Sequence, residues 1–190
     1  MTVMVVCRLF CLQRSSSHEL SYWSHPASSD PACDKAVLSD YFRLDYSLHA
    51  LCQSWSKDEN FSQKCSSHHG VRLLSQHPLE ALVAFISSSN NNIQRIQSMM
   101  IKLCQAFGEP LGCHGDQDYY SFPTLSVLCG EGVEQRLRDL GFGYRAKYVH
   151  KTALKLFQDL GGVHWLEDLK KQPYQGLYYL TFDLMTNQCC

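Results

Sequence analysis

Two apolar stretches with helical spacing run into each other through a polar corner, and that arrangement limits what this chain can become. Leu79, Leu82, Val83 and Ile86 recur on one helix face, and so do Ile93, Ile96, Met100, Leu103 and Phe107. Residues 85–95 between them read FISSSNNNIQR. Serine and asparagine side chains compete with the helical backbone for hydrogen bonds and favour caps and turns. The stretch is therefore helix, corner, helix, with Asn91 or Asn92 as the cap of the second helix. One cap needs one asparagine. The others leave amides beyond that need, and Asn and Arg are side chains suited to pairing with base edges.

The rest of the chain is expected to be mainly helical. Apolar spacing marks short helices from Asp34, around Leu48 to Trp55, and over residues 60–67. Pro78 stands where the helix before the corner should begin. Residues 19–34 and 108–123, rich in Ser, Pro, Gly and Asp, read as loops. Short helices are expected from Pro123 to Cys129 and from Glu134 to Leu140, the second stopped by Gly141 and Gly143. Another runs from Val163 to Lys171. Residues 1–18 hold Arg8 and Arg14 and no acid, and are read as a strand of a truncated domain in preference to a mitochondrial presequence. Residues 176–190, GLYYLTFDLMTNQCC, are aromatic and show no helical period.

A second stretch carries charge. Residues 143–155, GYRAKYVHKTALK, hold Arg145, Lys147, Lys151 and Lys155 without one acid, while Val149, Ala153, Leu156 and Leu160 make an apolar face. The whole chain has a formal net charge of −1, so any nucleic-acid partner must be met by a local patch such as this one. Tyr144 and Arg145 stand at the helix entry beside a glycine, a combination shaped to wedge into a base stack. The ten cysteines form no C-x-x-C pair. They read as reduced, buried thiols, with no metal and no cofactor expected. No run of residues approaches membrane-spanning length.

The words SSNNNIQR, LCQAFG, FPTL, LGFGYRAKYV and GGVHWL occur in this order. Together they closely resemble the eukaryotic 8-oxoguanine DNA glycosylases, N-glycosylase/DNA lyases of base excision repair in the helix-hairpin-helix superfamily. The resemblance runs from about residue 35 to 175. It implies a helical bundle, here with a remnant of an N-terminal β domain over 1–34, a helical glycosylase domain over 35–175 and a divergent tail over 176–190. It implies that Asn90, Arg95 and Arg145 hydrogen-bond the cytosine left behind when an oxidised guanine is flipped out, and that Tyr144 props the stack open. Lys147 and Lys151 would contact phosphates. The implied partner is duplex DNA carrying oxidised guanine, bound by a monomer in the nucleus, or alternatively in the mitochondrion.

The chain also departs from the family. The hairpin with its PGVG-like word, its catalytic lysine and the aspartate that follows are not matched, and no lysine follows Lys171. Asp183 has no matching context. The N-terminal β domain, with its glycine that recognises the oxidised base, finds no clear counterpart in residues 1–34. The chain therefore looks like a truncated or alternatively spliced member with impaired catalysis. A non-catalytic damaged-DNA-binding module and a helical fragment without function are the alternatives.

Overall fold

A run of four buried side chains, Leu9, Phe10, Cys11 and Leu12, shows how the N-terminal region folds. Consecutive burial means that both faces of the strand are covered, the signature of a central strand. The computed structural model describes residues 2–5, 8–16, 19–27, 30–65, 67, 68 and 70–169. In it β2 (Arg8–Arg14) lies between β1 (Thr2–Val5) and β3 (Leu20–His25), antiparallel to both. Helix α1 (Pro31–Phe42) covers this sheet, and Phe10, Leu12, Leu38 and Tyr41 form a small core. The Asp30 side chain caps α1 by accepting from the Ala32 N–H at 2.9 Å. Asp34, 2% exposed, is held by an ion pair with Arg8 and by the Ser24 hydroxyl at 2.8 Å, so the buried carboxylate is partnered.

Two short helices follow, α2 (Leu48–Trp55) and α3 (Glu59–Cys65). Arg72 donates to the carbonyls of Arg43 and Tyr46 at 2.9 and 3.1 Å and fastens the extended segment that follows α3. The chain divides into two compact units after Gln76. This division does not coincide with the one at 34/35 drawn from the sequence. Residues 20–25, expected as loop, are a strand, because Tyr22 packs beside the core made by Phe10.

The second unit opens with α4 (Pro78–Ser88), which has proline in its first turn, followed by α5 (Ile93–Phe107). A hairpin comes next, β4 (Pro110–His114) and β5 (Gln117–Tyr120), where a loop was expected. Then come α6 (Leu125–Leu128), α7 (Val133–Leu137), a wider helical turn over Arg138–Phe142, α8 (Arg145–Gln158) and α9 (Val163–Leu169). Leu103, Leu128, Leu137, Phe142, Val149 and Leu156 form the centre of this unit's core. The fold is mainly α, as the helical spacing indicates. No helix among the described residues is long and apolar enough to cross a membrane. The expected tail over 176–190 and the position of the family's hairpin lie outside the described residues.

Candidate nucleic-acid interface

The corner between α4 and α5 is built by its own side chains. Asn92 is the cap: its side-chain oxygen accepts from the Arg95 N–H at 3.0 Å. Asn91 turns inward, donating to the Ser87 carbonyl at 2.9 Å and contacting the Met99 sulfur at 3.3 Å, while its oxygen takes the Asn92 N–H. Ser87, fully buried, returns its hydroxyl to the Val83 carbonyl. Two of the three asparagines are thus spent on the turn itself. Asn90 is different. It is exposed, sits at φ 46°, and its amide has no partner among the described residues. Asparagine tolerates the left-handed region better than most residues, so the corner can hold this amide outward at modest cost.

The second turn meets the first. Arg145 at the head of α8 donates from Nε to the Ser89 carbonyl at 3.0 Å, and from Nη2 to the carbonyls of Ser89 and Asn90, the latter at 3.0 Å. The Tyr144 hydroxyl lies 3.3 Å from both the Ser89 hydroxyl and the Ser89 carbonyl. Arg95 reaches the other way, donating from Nη2 to the Gly141 carbonyl at 3.5 Å. Gly141 and Gly143, at φ 94° and 59°, give the 141–145 segment the backbone geometry that brings it against the corner. Asn90, Arg95, Tyr144 and Arg145 therefore share one site, although 55 residues of chain separate Asn90 from Arg145.

Exposure separates their roles. Tyr144 is 50% exposed, with the Arg145 guanidinium 4.6 Å from its ring centre and Tyr148 edge-on at 6.3 Å. It is a ring supported from below and open above. Arg145 is only 4% exposed and works as the tie between the two turns. Among the described residues every buried side-chain nitrogen and oxygen has a partner, so its unbonded Nη1 keeps contact with solvent. Ser89, which both Tyr144 and Arg145 grip, was not singled out from the sequence. Its part is played mostly by a backbone carbonyl, for which residue type carries no signal.

Lys147 and Lys151 are exposed, one turn apart on α8, and neither forms an ion pair among the described residues. On the inner side of the same helix Val149, Ala153 and Leu156 are buried, as their spacing suggests. Ile93, counted with the apolar face of α5, is 74% exposed instead. It sits in the first turn beside the corner, and Met99 and Leu103 carry the burial. The described cysteines also differ from expectation: Cys11 is buried, whereas Cys33 and Cys113 are exposed and four others are half-buried.

Comparison with known proteins bears on what such a site serves. The family profile described as 8-oxoguanine DNA glycosylase, N-terminal domain, matches residues 2–82. An N-glycosylase/DNA lyase of Saccharomyces cerevisiae is 46% identical over 126 residues, covering 66% of this chain and 33% of that protein. The N-glycosylase/DNA lyase OGG1 of Arabidopsis thaliana is 36% identical over 165 residues, covering 86% of this chain and 44% of that one. The chain thus spans less than half the length of these relatives. An 8-oxoguanine glycosylase/lyase from Clostridium acetobutylicum, solved with double-stranded DNA containing cytosine opposite 8-oxoguanine, aligns with a TM-score of 0.84. That match covers 97% of this chain and 60% of the other at 24% identity, a likeness of fold. The profile match from residue 2 also corrects one reading: residues 1–34 do have a counterpart in the family's N-terminal domain.

Proposed function

The chain belongs to the 8-oxoguanine DNA glycosylase family, and from that premise we propose that it engages duplex DNA at 8-oxoguanine opposite cytosine as part of base excision repair. An enzyme acting on a base inside a duplex must first take the base out of the stack. The vacated space must then be filled and the orphaned partner held. Tyr144 fills it: an aromatic face, half exposed and backed by a guanidinium, offers a base-sized stacking surface. Asn90 and Arg95 supply hydrogen bonds to the cytosine, with Nη1 of Arg145 beside them. An amide carbonyl accepts from cytosine's amino group, and amide and guanidinium N–H groups donate to its ring acceptors. Lys147 and Lys151 neutralise phosphates along the same face.

The observation that carries this reading is the hydrogen-bonded union of the 141–145 turn with the asparagine corner. It supports a single recognition surface made from two distant segments. Strand cleavage by a lyase of this kind needs an amine that forms a Schiff base with the sugar. No lysine in the 190 residues stands in the context of the family's nucleophile. Cleavage by these 190 residues is therefore impaired, and they engage the lesion as a monomer, in the nucleus or the mitochondrion where duplex DNA is found.

Anisotropy titration with a duplex holding 8-oxoguanine opposite cytosine tests the binding, and borohydride trapping on the same duplex tests the chemistry. Saturable, salt-sensitive binding with no covalent adduct is expected. Absence of binding at low salt would remove the recognition claim. An adduct at the yield of a full-length relative would overturn the claim of impaired cleavage.

A further inference from the structure

In the first unit, helices α2 and α3 pair so that like chemistry faces like. Trp55 and Phe61 meet edge to face, with ring centres 5.5 Å apart and planes at 81°. One helical turn away from that contact, back along α2 and forward along α3, stand Cys52 and Cys65. The sulfhydryls of the two interact, both are unpaired, and both are half-buried. Together they form part of the wall of a cavity of about 970 Å³. Its other walls are largely apolar, with Leu48, Leu51 and Leu74 among them, while Arg43, Lys64 and Arg72 give it positive charge and no carboxylate among the described residues lines it.

We propose that Cys52 and Cys65 form an oxidisable dithiol, a modification site for peroxide that closes into a disulfide joining α2 to α3. The Cys52 or Cys65 thiolate attacks one peroxide oxygen; an S–O bond forms, the O–O bond breaks, and the second oxygen leaves as water after taking a proton. The neighbouring thiol then attacks the sulfenic sulfur. An S–S bond forms, the S–O bond breaks, and a second water departs. Two thiols are oxidised and one hydrogen peroxide is reduced, giving one disulfide and two waters. The shared hydrogen bond with Cys52 and then burial hold the Cys65 thiol above its ordinary range, so the reaction quickens as pH rises. Burial pushes Cys104 up to about 12, which leaves it a poor competitor.

Peptide mapping decides the matter. The full chain is treated with a slight excess of hydrogen peroxide, remaining thiols are alkylated, and trypsin is added. Cleavage after Arg43, Lys57, Lys64 and Arg72 puts Cys52 in peptide 44–57 and Cys65 in peptide 65–72. The disulfide therefore joins two peptides that reduction separates. This linked pair is expected to exceed every other cystine pairing and to form roughly tenfold faster at pH 8 than at pH 7, following the thiolate fraction. Cys52→Ser and Cys65→Ser should each abolish it. Recovery of both peptides alkylated and unlinked, or linked mainly to other cysteines, overturns the proposal.

Discussion

Asn90, Tyr144 and Arg145 divide the work of the site, and single substitutions separate the parts. Asn90 is exposed, makes no side-chain bond among the described residues and sits at φ 46°, a conformation glycine adopts readily. Asn90→Gly should leave stability within about 0.5 kcal/mol, as surface changes do, while weakening capture of the cytosine-containing lesion duplex. Tyr144→Ala should likewise spare the fold but remove a stacking surface worth roughly 1–3 kcal/mol, about 5- to 150-fold in Kd. Arg145→Ala is expected to cost both. It strips the partner from the Ser89 and Asn90 carbonyls, a loss of about 1–3 kcal/mol of stability. Urea denaturation alongside anisotropy checks all three. A Tyr144→Ala protein that binds as well as the parent would contradict the stacking role. The sequence singled out these residues, but did not show that Arg145 is a buried tie. That role depends on two backbone carbonyls of the distant corner, which no residue pattern announces.

At the scale of elements, long amphipathic helices were readable and short strands were not. Helices α4, α5 and α8 each repeat an apolar face over two or more turns, which makes the period visible. β4 and β5 are five and four residues long, too short for alternation to register. Their cue was the Gly115–Asp116 pair between His114 and Gln117, a two-residue hairpin link that the loop reading passed over. The glycine ending α5 follows a different logic. A Cβ on Gly108 would lie 2.0 Å from the Ser121 carbonyl oxygen and 2.6 Å from that of Cys104. Both are backbone atoms and cannot swing away, so Gly108→Ala should lose about 1–3 kcal/mol by urea denaturation. An unchanged midpoint would mean that helix end and hairpin do not close so tightly. On α4, burial raises the Glu80 carboxyl above its ordinary range. An acid so raised supports the fold fully below its unfolded-state pKa and loses that support as pH climbs through its folded one. Glu80→Gln should therefore be more stable than the parent at pH 7, and the difference should shrink towards pH 4. Denaturation at the two pH values measures it, and an equal difference at both would show that the carboxyl feels no burial.

For the molecule as a whole, charge poses the sharpest question, because a chain of net charge −1 has no overall attraction to DNA. The expected boundary at 34/35 fell inside a unit for a related reason: composition changes there, but Phe10 and Leu12 share a core with Leu38 and Tyr41, and packing decides where a unit ends. Charge obeys the same rule of place over total. Residues 143–155 gather four cations and no acid, and Lys147 and Lys151 remain exposed without an ion pair among the described residues. If these two meet phosphates, each releases counterions when DNA binds, and the slope of log K against log salt changes by roughly 0.9 per contact. The Lys147→Ala, Lys151→Ala double variant should then bind more weakly at low salt and show a slope shallower by about 2. Its preference for the lesion duplex over an undamaged one should stay as it was, since phosphate contacts position without reading bases. Tyr144→Ala should do the reverse, narrowing the preference at an unchanged slope. Equal slopes for parent and double variant would move the DNA-facing surface off α8, and the union of the two turns would then serve the fold alone.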